Sequence, residues 1–212
     1  MALSADRKVE RKLADRPRIV AGVLTAVKLF TGALVSRGIT GYAKPASDTA
    51  GESFLGISIN QQDNTLGASA ALSAECDRFA FDAAASGMAI TDLNEEAYVV
   101  DDATVGRGIV APPVNVTGVA VKRLATSRGG TRALAFTAAG TLLAYGGGTG
   151  VNVGGGGEFV LTATDGAQIL VTVTAGLLPV GNQNDNIQMR HVRAGRIIEV
   201  VSATKVIVDP NL

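Results

Sequence analysis

From Arg18 onward, apolar and polar positions alternate in short runs, each ended by glycine, proline or a group of Asp, Asn and Ser. Alternation with period two marks a strand with one buried face, whereas a helix repeats its apolar positions every three or four residues. RIVAGVLTAVKLFTGALVSR (Arg18 to Arg37) reads as apolar stretches broken by Gly22 and Gly32, and GITGYAKPAS (Gly38 to Ser47) as a turn-rich connection. SFLGISIN sets Leu55, Ile57 and Ile59 against Phe54, Gly56, Ser58 and Asn60, predicting a strand with one apolar and one small or polar face. QQDNTLGAS reads as a loop. CDRFAFDAA, with Cys76, Arg78, Ala80 and Asp82 opposed to Asp77, Phe79 and Phe81, predicts another strand, and Ala97 to Val100 predicts a third.

The second half has the same texture. APP (Ala111 to Pro113) is a stiff linker signal. VTGVAVKRL, TRALAFTA, TLLAYG, EFVLTAT and QILVTVTA follow as strands. EFVLTATDGAQILVTVTA (Glu158 to Ala175) predicts a hairpin turning at Asp165-Gly166. YGGGTGVNVGGGG (Tyr145 to Gly157) reads as a flexible Gly-rich loop, and NQNDNIQ (Asn182 to Gln188) as an Asx-rich turn. The expected fold is all-β: a small barrel or sandwich base domain, with a second all-β domain inserted in one of its loops.

Composition supports this choice. The 212 residues have zero net charge, 26 Gly, few aromatics and no Trp, and draw their apolar content from Ala, Val, Leu and Ile. No apolar run is long enough to cross a bilayer, so no membrane partner is expected. The charged N-terminus lacks a signal-peptide core, which predicts a protein made in the cytoplasm. Cys76 is the only cysteine, so neither an intrachain disulfide nor a thiolate metal cage is expected.

The neutral total hides one asymmetry. SADRKVERKLADRPR carries Arg7, Lys8, Arg11, Lys12, Arg16 and Arg18 against Asp6, Glu10 and Asp15. Ser4 can cap a helix that Pro17 ends, but Leu3, Val9 and Leu13 make too narrow an apolar stripe for a helix stable alone. Residues 1–18 read as an arm that orders on an acidic or polymeric partner, against the plainer alternative of a solvated, frayed terminus. No aromatic residues interleave with the basic ones, so nucleic acid is not the expected partner.

The candidates for chemistry are few. Glu95-Glu96 and Asp101-Asp102 flank the strand around Tyr98, and paired carboxylates suit metal binding or acid–base work. They equally suit the solvated ends of a strand, which is the reading adopted, with cation binding at a subunit contact as the alternative. GGGTGVNVGGGG lacks the Lys-Ser/Thr and the following helix of a phosphate loop. His191 is the only histidine and lies between cations, and it reads as a polar residue at the domain junction. Cys76 has no sequence-adjacent base and reads as a buried small hydrophobe. Asp185 with Asn182, Asn184 and Asn186 offers oxygen ligands, without the Gly and Glu spacing of a calcium loop. No catalytic, cofactor or metal residue is predicted, and an enzyme is not expected.

Two blocks and a closing hairpin carry a family likeness. KLFTGALVSRGITGYAKPASDTAGESFLGIS (Lys28 to Ser58), RFAFDAAASGMAITDLNEEAYVVDDATVG (Arg78 to Gly106) and RAGRIIEVVSATKVIVDPNL (Arg193 to Leu212) resemble the head decoration, or capsid cement, proteins of tailed bacteriophages. The likeness covers roughly residues 20 to 106 and 193 to 212. It implies a base domain of 19–106 plus 193–212 that binds the major capsid protein on the outer surface of the virion head. It further implies homotrimers at local three-fold positions. Arg7, Lys8, Arg11, Lys12, Arg16, Pro17 and Arg18 become the expected capsid contacts. The chain departs from the family between Arg107 and Val192, where a short loop is usual. Residues 107–192 are expected to form the inserted domain, projecting away from the binding surface. The competing expectation is a tail- or fibre-associated virion adhesin whose inserted domain binds a host surface glycan.

Overall fold

The computed structural model describes residues 18–67, 72–110, 118–124, 128–136, 142–177 and 182–212. The chain is all-β, and the described residues contain no α-helix. In chain order the strands are β1 (Ile19–Gly22), β2 (Lys28–Leu29), β3 (Leu34–Arg37), β4 (Ala43–Pro45), β5 (Ser53–Ser58), β6 (Gln62–Asp63) and β7 (Ser73–Asp77). They continue as β8 (Phe81–Ser86), β9 (Glu96–Val99), β10 (Thr104–Gly106), β11 (Val119–Arg123), β12 (Gly130–Phe136), β13 (Leu142–Tyr145) and β14 (Val151–Asn152). The last are β15 (Gly157–Thr162), β16 (Gln168–Val173), β17 (Gln183–Met189), β18 (Arg193–Ser202) and β19 (Lys205–Asp209). A single 3-10 turn, Ile90–Asp92, precedes β9.

Two compact units result. One comprises the chain up to Gly108 together with Arg190–Leu212, and the other is Ile109–Met189. At the point where the chain leaves and re-enters the first unit, the Arg190 N–H donates to the Gly108 carbonyl at 2.9 Å.

The first, or base, unit contains a closed barrel, a five-stranded sheet and a two-stranded sheet, β2-β6. Strands β10-β8-β19-β18-β9 form a closed barrel, with β8 and β10 its parallel pair. Phe81, Val99, Val105, Ile197, Val206 and Val208 belong to its core. The five-stranded sheet runs β1-β7-β5-β3-β4. Its two edges meet through a bridge between Val23 and Ala43, next to a Leu24 N–H to Ala43 carbonyl bond of 2.9 Å. That sheet encloses a second core, to which Leu29, Val35, Leu55, Ala74 and Cys76 contribute.

A β-bulge reconciles the two cores. Val35 pairs with Gly56 but Ser36 pairs with Phe54, so Leu55 is an extra residue on β5. Leu55 therefore joins one core while Ile57 joins the barrel core, against which Phe54 packs. The simple alternation expected for SFLGISIN is corrected: both faces of β5 are buried, because the bulge switches the side chains between faces. Gly56 makes the bulge possible. Its φ is 143°, and a Cβ there would lie 2.3 Å from the Asp77 carbonyl oxygen. Gly195 repeats the device in β18, with φ 150° and a Cβ that would lie 2.3 Å from the Asp209 carbonyl oxygen.

CDRFAFDAA is likewise not one strand. It comprises the end of β7, a corner at Arg78–Ala80 and the start of β8, and so passes from one sheet to the other. The Arg78 guanidinium donates to the Pro210 carbonyl at 3.0 Å, and the Asn211 amide donates to the Arg78 carbonyl at 2.9 Å, which pins the corner. The GITGYAKPAS connection holds β4, an edge strand that accommodates Pro45.

The inserted unit is a sandwich of a three-stranded sheet, β11-β16-β15, and a four-stranded sheet, β14-β13-β12-β17. Leu134, Phe136, Leu143 and Tyr145 from one sheet share a core with Leu161, Ile169 and Val171 from the other. Burial of each such side chain contributes about 1.5–3 kcal/mol. The hairpin at Asp165-Gly166 forms as its sequence predicts: Thr162 pairs with Gln168, and Asp165 accepts the Ala167 N–H at 3.1 Å.

Two readings of this unit are corrected. NQNDNIQ is not a turn but most of β17, which pairs with β12 from Gln183 to Met189. Buried Ile187 and Met189 anchor it, and tertiary pairing overrides the poor strand propensity of Asn and Asp. The segment from Tyr145 to Gly157 is not a plain loop, since it contains β14 and the fully buried Val153.

Candidate functional site

Of the predicted capsid contacts, Arg7, Lys8, Arg11, Lys12, Arg16 and Pro17 lie outside the described residues. Arg18 is described and exposed. It forms ion pairs with Glu75 at 3.3 Å and Asp77 at 3.4 Å, so part of its charge is answered by its own unit. Such surface pairs contribute little to stability.

The paired carboxylates separate into structural roles. Glu96 lies within β9, accepts the Tyr98 hydroxyl and pairs with Arg193 Nε at 2.9 Å on neighbouring β18. Asp101 accepts the Ala103 N–H at 2.9 Å, an Asx turn. Asp102 is buried rather than solvated, a correction to its reading as an exposed strand end, and its carbonyl accepts the Leu34 N–H at 2.8 Å. Among the described residues no three His, Cys, Asp or Glu groups come together as metal ligands. Asp185 and its neighbouring asparagines cannot converge on one ion either. Alternation along β17 sends Asn184 and Asn186 to the face opposite Asp185. Cys76 is fully buried, and burial, with Asp77 adding to it, pushes its thiol up to about 12.

The polar residues of the PASDTAGE segment tie loops together. Glu52 accepts Ser36 Oγ at 2.8 Å, Ser47 Oγ at 3.1 Å and the ammonium of Lys44. Asp48 accepts the backbone N–H groups of His191 and Val192 and faces Arg190 Nη1 at 3.5 Å. It thereby holds the strand that resumes the base unit. Asp92 accepts Arg107 Nη2 at 2.8 Å and also the Ala89 N–H at 2.6 Å. Sequence reading missed Glu52, Lys44, Asp92 and Arg107 because their partners are fixed by tertiary structure, which no spacing reports.

In the inserted unit the Gly-rich segment is packed, not open. A Cβ at Gly148 would lie 1.8 Å from the Thr162 carbonyl oxygen, so backbone runs directly against backbone. Beside it Arg132 grips Asp165 through Nη2 at 2.6 Å and Nε at 3.0 Å, which holds the Asp165 carboxyl below the usual carboxylate range. An open groove of about 440 Å³ lies between Gly147–Thr149 and Val160–Thr164. It presents threonine hydroxyls and two valines, with no titratable group along its walls.

The base unit's unsatisfied surface is apolar. Val20 is 63 % exposed, Ile39 81 % and Tyr42 47 %. The Tyr42 ring lies against Gly22 on the strand that carries Val20, and Ile39 lies over Gly51. Val20 lies two residues beyond Arg18, the first described residue.

The structure thus defines an architectural class: an all-β protein of two compact units, the second inserted between Gly108 and Arg190 of the first. No family model matches the chain, and no match was found among curated proteins or solved structures.

Proposed function

We propose that the chain is a structural virion protein that binds the outside of a phage capsid and stabilises the assembled head. The supporting observation is the exposed apolar surface of Val20, Ile39 and Tyr42 next to the base of the arm. Large apolar side chains held out on strand and turn gain stability only when a partner covers them. The resemblance read in the sequence implies the major capsid protein as partner, and trimers at local three-fold positions. The internal bonding of Glu52, Asp48 and Asp92 fits a protein whose work is done by surfaces.

The physics is mass action. A protein that binds only across a completed junction between capsid subunits favours the assembled shell, by about 2.7 kcal/mol per site at a hundredfold excess over Kd. Many equivalent sites multiply that gain. The arm of residues 1–18 adds contacts, either as a docked helix or by extending a capsid sheet.

Titrating the protein against capsid shells that lack it tests this reading. Binding is expected to saturate at a fixed ratio to capsid subunits and to raise the shell's Tm. Deleting residues 1–18, or changing Ile39→Asp with Tyr42→Asp, is expected to weaken binding at least tenfold. No binding to shells overturns the proposal and shifts the weight to a tail or fibre adhesin.

A further inference from the structure

Asp165-Gly166 is the one Asp-Gly pair in the sequence, and no Asn-Gly pair accompanies it. An Asp-Gly pair is open to a covalent change that needs no second reactant. The backbone nitrogen of the glycine attacks the side-chain carboxyl carbon of the aspartate. A C–N bond forms, a carboxyl C–O bond breaks, and the hydroxyl leaves as water with the amide proton. Water then opens the cyclic imide at either carbonyl. One of the two products is isoaspartate, in which the main chain runs on through the side-chain carbons. Glycine favours the step because no side chain obstructs its nitrogen.

Burial does not protect this pair. The Asp165 side chain is 49 % exposed, and open space surrounds the Gly166 Cα. Arg132 holds it instead. The Arg132 side chain is only 11 % exposed, and its Nη1 donates to the Arg128 carbonyl at 3.2 Å, so the guanidinium is fixed from behind. Nη2 donates to Asp165 Oδ2 at 2.6 Å, and Nε donates to Oδ2 at 3.0 Å and Oδ1 at 3.2 Å. Oδ1 also accepts the Ala167 N–H at 3.1 Å, one residue past the nitrogen that would attack. That nitrogen is engaged elsewhere, since the Gly166 N–H donates to the Ala163 carbonyl at 2.9 Å.

Both reacting groups are therefore turned to other partners. Cyclisation needs nitrogen and carbon aligned at about 3–3.5 Å, and a two-pronged guanidinium grip fixes the carboxyl's direction as well as its charge. The Arg132 guanidinium, with the Ala167 N–H, also holds the carboxyl below the usual carboxylate range, in the ionised form that has no hydroxyl to lose. An ion pair with one partner this exposed adds little to stability, so its consequence is chemical. We propose that Asp165-Gly166 is a latent isomerisation site and that Arg132 is the positioning residue that keeps it closed. Once the grip is released, isoaspartate adds one backbone atom to the turn. The Thr162–Gln168 pairing and the Ala163 N–H to Ala167 carbonyl bond of 2.8 Å then lose their register. Leu161 and Ile169 of the shared core stand on the two strands affected. The inference is independent of capsid binding.

Ageing the full chain at neutral pH tests it, beside the free peptide LTATDGAQIL. Peptide mapping by mass spectrometry and enzymatic methylation of isoaspartate are the readouts. Isoaspartate at 165 is expected to form about tenfold more slowly in the folded chain than in the peptide. Arg132→Gln is expected to raise the rate in the folded chain about fivefold. Arg132→Lys keeps a charge without the two-pronged hold; it is expected to raise the rate too, and is read alone if Arg132→Gln does not fold. Ile169→Val, in the same core, is expected to lower Tm without raising the rate, which separates loss of the grip from general loosening. A parent chain as fast as the peptide overturns the proposal, as does a folded Arg132 variant no faster than the parent. An Ile169→Val variant that speeds the reaction as far as the Arg132 variant also overturns it.

Discussion

The base unit and the inserted unit solve the same problem, burying strand faces, in opposite ways. Among the described residues every buried polar or charged side chain belongs to the base unit: Ser36, Ser58, Asn64, Asp77, Asp92, Asp102 and Asp209. In the inserted unit the fully buried side chains are apolar apart from the Tyr145 hydroxyl, which donates to Met189 Sδ at 3.9 Å. The base curls its sheets around two cores and needs bulges, corners and polar ties to do so. The sandwich faces two sheets across one core and needs little beyond alternation. A closed barrel removes exposed strand edges, whereas an open sandwich keeps them and must guard them. Asp185, carried on edge strand β17 and turned away from its outer face, is such a guard.

The sharpest way to break this contrast is to damage one core and watch the other. Phe136→Ala is expected to cost about 3–5 kcal/mol. In calorimetry it should lower the inserted unit's transition by more than ~12 °C and leave the base unit's transition in place. A single transition that moves as a whole would mean that the two units unfold together. Next in size is Gly195→Ala, which places a Cβ against the Asp209 carbonyl at a φ suited to glycine. It is expected to cost about 3 kcal/mol and to act on the base transition alone, whereas Gly166→Ala, with open space around it, should cost about 1 kcal/mol. Urea unfolding of both variants separates the two values.

The smallest effect is electrostatic. Hydrogen bonds from Thr65, helped by Lys28, hold the exposed Asp63 carboxyl at about 2, below its ordinary 3.8. A carboxyl that titrates lower in the folded than in the unfolded chain adds stability that is complete above about pH 4 and disappears as the pH falls towards 2. Asp63→Asn should therefore lower Tm slightly at pH 5 and by much less at pH 2, with the base transition the one to follow.

This contrast also explains what could be read from the residues in advance. EFVLTATDGAQILVTVTA announces its hairpin because alternation and an Asp-Gly turn are local signals. The all-β class and Cys76 as a buried small residue were legible from local composition and alternation. The bulge at Leu55, the corner at Arg78 and the burial of Asp102 were not. Each depends on a partner far along the chain, and a one-residue slip reverses every face beyond it. NQNDNIQ misled because its composition speaks for a turn, while its strand identity rests on Ile187, Met189 and the waiting edge of β12. The candidate surfaces divide in the same way. Basic residues of the arm stand out in one dimension, whereas the exposure of Ile39 and Tyr42 is set by the fold.

The hydrogen bond from Arg190 to the Gly108 carbonyl has a further consequence. The base unit brings the two cut ends of its chain within one bond of each other, and so offers a socket. Whatever occupies it must start and finish as neighbouring strands, as the Ile109–Met189 bridge does for the present occupant. Any module that meets this condition can be exchanged without rewriting the host. The two parts can then change on separate clocks, since each is built around its own core.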